Sequence, residues 1–195
     1  MLKPTRIRKM PPRDTINFYM SRLKNLRKEQ LVEAMRLHGK GDLNEFGRSR
    51  LLELAISQRM VIFNRDYPNN IAVASACATP SPSVIKAFYI ILDMLNHQMR
   101  VEVTGINEFY GIDAVNQDNN TLMQIVPLPA GNFTTQIILQ QKHMDQISYV
   151  YMIDDPSQIK NIRPLTPQDT ACYVHNLHQK RLWEVKYYDL KTDNR

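Results

Sequence analysis

"GRSRLLELAISQRMVIFNRDYPNNIAV", residues Gly47 to Val73, decides how this chain reads. Two arginines and a serine stand ahead of a leucine-rich run, and behind that run the apolar period shortens from about 3.6 residues to two. "MVIF" and "NIAVAS" are short β-type runs, and "NRDYPNN" between them is turn material. The stretch is expected to fold as a helix with cations at its N-terminal end and an antiparallel hairpin directly behind it. At about 100° per residue, Ser49 and Arg50 point away from the apolar face of Leu51, Leu52, Leu54, Ala55 and Ile56. Arg48 falls close to that face.

Upstream, residues 1–13 read as a flexible basic arm with Lys3, Arg6, Arg8, Lys9 and Arg13. Asp14 is the expected N-cap of a first helix, in which Ile16, Tyr19, Met20 and Leu23 recur at helical spacing. A second helix is expected from about Lys28 to His38, closed by Gly39 as a left-handed cap. Asp42 and Glu45 have the spacing of a capping box for the third helix, about Phe46 to Gln58. Helix, helix, turn, helix, hairpin over residues 14–78 is the order of a winged helix-turn-helix.

Downstream, "TPSP" at 79–82 breaks the chain, with Ser81 as N-cap and Pro82 at the first position of a fourth helix. That helix runs to about His97, and its wide apolar surface predicts burial on most sides. Three β-type runs follow, "RVEVTGI", "FYGIDAV" and "TLMQIVPL", with "QDNN" at 117–120 as a hairpin turn. Residues 132–146 read as a helix, 148–154 as a strand, and "ACYVHNL" with "RLWEVKYYDL" as a final hairpin. The fold class expected is α+β. Residues 82–195 form an α-β-β-β-α-β domain with a terminal hairpin.

Composition narrows the function. Of 195 residues, 43% are hydrophobic and 23% charged, which excludes a disordered chain. The most apolar stretch, residues 84–95, contains Lys86 and Asp93 and is too short to span a bilayer. Two cysteines, Cys77 and Cys172, make no disulfide framework and point to a reduced, cytoplasmic setting. The net charge of +6 is uneven: residues 1–66 carry +8 and residues 67–195 carry −2. A basic front half suits a polyanion.

Double-stranded DNA is the expected partner. A recognition helix puts its N-terminal residues against base edges in the major groove, the place that Arg48, Ser49 and Arg50 would take. Arg65, Asn69 and Asn70 on the hairpin suit phosphate or the minor groove. Lys24, Arg27 and Lys28 flank the second helix as phosphate contacts, and Arg6, Arg8 and Lys9 of the arm track the backbone. Scattered histidines and the lack of a cysteine cluster give no zinc set, and no glycine-rich phosphate loop occurs. No cofactor is expected. A homodimer and a protein-docking adaptor are further readings.

Residues 14–75 resemble a winged helix whose leucine-rich helix runs straight into the first wing strand, and the α-β-β-β-α-β order is similar to the restriction-endonuclease-like fold. Together they resemble the replication-relaxation family of plasmid and conjugative-element proteins. That resemblance implies a DNA-binding accessory of conjugation or plasmid replication, or a regulator, with a nuclease-like domain that is often degenerate and with a relaxase as a candidate partner. In the nuclease position implied by the resemblance, Asp113 of "GID" is the first carboxylate. Gln124 and Val126 of "MQIV" stand where an acid and a lysine belong, so that site reads as inactive. A second P-x-D…E-x-K match, Asp169 with Glu184 and Lys186, is the alternative: a Mg²⁺-dependent nuclease. The expectation is a non-enzymatic protein.

Overall fold

In a computed structural model, the structure describes residues 8–39, 43–58, 61–63, 71–74, 81–132, 134–142, 144, 146–177 and 182–190. Proline and the chain's apolar spacing set the first helix, α1 (Pro12–Leu23), which starts at Pro12 with Pro11 as its cap and buries Ile16, Tyr19, Met20 and Leu23. Asp14 sits inside the first turn rather than capping it. Lys24 ends α1 in the left-handed region with φ of 65°.

A short strand, β1 (Asn25–Arg27), follows and was not evident in the sequence. Three residues are too few to show a period, although Leu26 is fully buried. Helix α2 (Lys28–His38) begins where Arg27 N–H donates to Gln30 Oε1 at 3.0 Å. Gly39 after it has φ −51° and ψ 125°, so it is extended and not a left-handed cap. Helix α3 (Glu45–Ser57) is capped by Asn44, whose Oδ1 accepts from Gly47 N–H at 2.8 Å. Asp42 of the expected capping box lies outside the described residues. Strands β2 (Val61–Phe63) and β3 (Ile71–Ala74) pair antiparallel, as the alternation predicts. β3 also pairs with β1, which gives a three-stranded sheet in the order β1-β3-β2.

Helix α4 (Pro82–Asn96) has Ser81 as its N-cap and Pro82 in its first turn, as expected. It buries Val84, Ile85, Phe88, Ile91, Leu92 and Leu95 among others. Its environment explains its composition: α1 and α2 pack on one side and the large sheet on the other, within one hydrophobic cluster. Gln30 Nε2 reaches across to Ile85 O at 2.7 Å, and Asn25 Oδ1 accepts Ser81 N–H at 3.1 Å. Those two polar links fasten α2 and β1 to α4. The stretch offered by the sequence as a domain boundary therefore separates elements that share a core.

The large sheet contains β4 (Val101–Ile106), β5 (Ile112–Asn116), β6 (Thr121–Leu128), β7 (Ile147–Ile153), β8 (Thr170–Leu177) and β9 (Leu182–Asp189), neighbours in that order. β4-β5-β6 is an antiparallel meander, and β7 runs parallel to both β6 and β8. β9 returns antiparallel to β8. Helix α5 (Thr134–Lys142), shorter than expected, connects β6 to β7. Alternation divides the strands between two faces. Met123, Ile125, Val150 and Met152 face α4, while Val126, Leu128, Tyr149, Tyr151 and Ile153 pack with Leu139 of α5. The architecture is α+β with a six-stranded mixed sheet between helical layers.

Candidate nucleic-acid interface

The N-terminal half of α3 is held by its entry. Gly47 approaches Leu43 so closely that a Cβ there would lie 3.1 Å from Leu43 Cδ2. The Arg48 guanidinium turns back to donate to Leu43 O, and its Nε is buried without a hydrogen-bond partner in the structure. Arg48 thus closes the α3 entry, in keeping with its place near the apolar face on the wheel. Ser49 is half-buried and Arg50 is exposed. Of the leucine-rich face, Leu52 and Ala55 are buried, but Leu54 is 49% exposed. Phe46, four residues before Arg50, is 74% exposed. Phe46, Arg50 and Leu54 therefore make a stripe one turn apart.

The other cations are differently occupied. Lys28 Nζ lies 3.6 Å from Glu53 of α3, and Arg27 lies 3.5 Å from Glu29. Lys24 Nζ donates to Ser21 O at 2.6 Å. Arg50 forms no ion pair among the described residues. The acids beside these cations, Glu29 and Glu53, are visible in the sequence, but only the α2–α3 packing brings Glu53 to Lys28. Arg6, Arg65, Asn69 and Asn70 lie outside the described residues.

Residues 8–10 are docked rather than free. Met10 is buried, its N–H donates to His38 O at 3.0 Å, and it bridges to Gly39. Arg8 and Lys9, immediately before that anchor, are exposed, and Arg8 O accepts from His38 Nδ1 at 2.8 Å. His38 Nε2 meets Tyr19 Oη at 2.6 Å. Burial lowers the His38 pKa, which the Arg8 carbonyl opposes and the charges of Lys9 and Arg8 reinforce. This polar junction at the root of the arm was missed in the sequence, because His38 carries no motif.

On the large sheet, Asp113 of β5 stands directly opposite Gln124 of β6. Burial raises the Asp113 pKa, the Asn107 and Gln124 amides pull it back, and Glu108 raises it. Its Oδ1 is buried without a hydrogen-bond partner. One carboxylate beside a neutral amide and the buried Val126 does not fit a divalent cation, which wants several anionic oxygens.

Asp169, Glu184 and Lys186 are not brought together. Asp169 is 2% exposed and accepts from Tyr149 N–H, Leu165 N–H, Thr166 N–H, the Thr166 hydroxyl and the Tyr151 hydroxyl. It precedes Thr170, which pairs with Asp189, five positions along β9 from Glu184. At about 3.3 Å per residue that separation is on the order of 17 Å. Glu184 and Lys186 are exposed and 3.9 Å from each other. Among the described residues no cluster of His, Cys, Asp and Glu is arranged to hold a metal, and no helix is long and apolar enough to cross a membrane.

No family model matches the chain, and no curated protein or solved structure matches it.

Proposed function

We propose that this is a double-stranded DNA-binding accessory protein without catalytic activity of its own, built as a winged helix on a nuclease-like α/β body. The observation that carries the reading is the order α1-β1-α2-α3-β2-β3 with its sheet β1-β3-β2, combined with an exposed Arg50 on the helix before the ribbon. In such an arrangement α3 enters the major groove and the β2–β3 ribbon lies against the neighbouring backbone. Arg50 is the base-reading candidate, since a guanidinium pairs bidentately with guanine. Phe46 suits contact with a thymine methyl. Ser49 and Arg48 line the helix entry, and Lys24, Arg27, Lys28, Arg8 and Lys9 supply the surrounding positive field. On the resemblance to replication-relaxation proteins, such a protein would serve conjugation or plasmid replication, with a relaxase as a candidate partner.

Fluorescence anisotropy of the full chain with duplex DNA from its own upstream region tests this reading. Tight binding that weakens steeply with salt supports it; no salt-sensitive binding to any duplex overturns it.

A protein-docking role is the second reading, and the exposed Phe46 and Leu54 favour it. Under that reading Phe46→Ala abolishes capture of a protein partner, while duplex DNA binds weakly with or without Arg50.

A further inference from the structure

We propose that two copies of this chain pair through the open edge of β9, antiparallel about a two-fold axis at Val185. The inference does not rest on the DNA-binding reading. β9 is the last strand of the six-stranded order, and among the described residues nothing pairs with its outer edge. Its eight residues, Leu182–Asp189, leave a row of outward backbone donors and acceptors, which template another strand.

A second copy is the occupant that the pattern of β9 selects. With the axis at Val185, Glu184 stands opposite Lys186 of the other copy, and Lys186 opposite its Glu184. Trp183 stands opposite Tyr187, and Leu182 opposite Tyr188. Each register position from Leu182 to Tyr188 thus meets either an opposite charge or another apolar or aromatic residue, the combinations that stabilise cross-strand pairs. Glu184 and Lys186 are about half exposed, and their contact along the strand is long at 3.9 Å, so both are free to turn toward a neighbour. Val185 packs toward α4. The two charges therefore stand on the other face, where Tyr188 packs against the second cluster.

The same charges reject other registers. Moving the axis one residue, to Glu184 or to Lys186, sets like charges directly opposite each other. Val185 is the centre that sets opposite charges against each other.

Sedimentation equilibrium of the full chain, from micromolar concentrations upward, tests the pairing. A monomer–dimer equilibrium is expected. Lys186→Glu and Glu184→Lys, each with an unchanged circular dichroism spectrum, weaken the dimer about tenfold or more. The double swap Glu184→Lys/Lys186→Glu restores it, because opposite charges face each other again. A chain that stays monomeric, or a dimer indifferent to both single swaps, overturns the proposal. So does a double swap that fails to recover association.

Discussion

Tyr19 and His38, one from each of the first two helices, meet at 2.6 Å in the interior, 19 residues apart in sequence. The opposite ring nitrogen of His38 lies 2.8 Å from Arg8 O. A carbonyl can only accept, so Nδ1 carries the proton, and Nε2 of the neutral ring accepts from the Tyr19 hydroxyl. Burial raises the Tyr19 pKa, and the charge of Glu102 adds to this. The pair holds the root of the basic arm against α1 and α2.

This junction gives the stability a pH dependence. The His38 pKa is lowered in the folded chain, chiefly by burial. The unfolded chain then binds the proton more readily, beginning near the ordinary histidine value of about 6.5. The stabilising contribution is complete above that pH. It is lost as pH falls from there through the lowered folded value. Urea midpoints of the wild type should fall between neutral and mildly acid pH, and His38→Gln should flatten that segment. Tyr19→Phe leaves Nε2 without its donor and should cost roughly 1–2 kcal/mol at neutral pH.

Asp169 is a structural anchor, and its replacement should show in stability. It gathers the 165–166 turn and the start of β7 through buried hydrogen bonds. Asp169→Ala leaves these donors unpaired and should cost roughly 3 kcal/mol or more. Glu184→Ala, at an exposed position, should change stability by less than about 0.5 kcal/mol. Thermal melts distinguish the two, and equal losses would contradict the separation of these residues.

Gly111 admits no side chain. A Cβ there would meet Ile125 O at 1.8 Å, and Asn107 Oδ1 accepts Gly111 N–H at 2.8 Å in the same turn. Gly111→Ala must push β5 away from β6 and should destabilise by about 3 kcal/mol or more. Gly105→Ala, where the new atom meets nothing within 4 Å, is the matched control. Denaturant titration of both variants reads the difference.

On the DNA-binding reading, Arg50→Ala should lower duplex affinity and relax base preference at one position, by about 1–3 kcal/mol. Lys9→Ala should weaken all sequences alike and reduce the salt slope by about one. Arg48→Ala, which loses the Leu43 contact, should lower the melting temperature as well as the affinity. Anisotropy titrations at several salt concentrations separate the three outcomes. An Arg50→Ala protein that keeps full affinity and preference would remove α3 from the interface.

Local pattern determined much of this protein. The apolar spacing of Ile16 to Leu23, the Ser81–Pro82 start of α4, and the β-type run Thr121–Leu128 belong to segments whose neighbours in sequence are also their neighbours in space. The ribbon of β2 and β3 follows from the same rule. Tertiary structure decided what depends on distant partners. β1 exists as a strand because β3 pairs with it from some 45 residues away. Lys28 is an ion-paired cation because α3 carries Glu53 past it. Arg48 became a brace at the α3 entry, while Arg50, two residues on, remained exposed. The motif joining Asp169 to Glu184 and Lys186 is close in sequence and separated in space, because an antiparallel hairpin sets position by register. Spacing along a chain fixes which face a side chain takes; only packing fixes what meets it there.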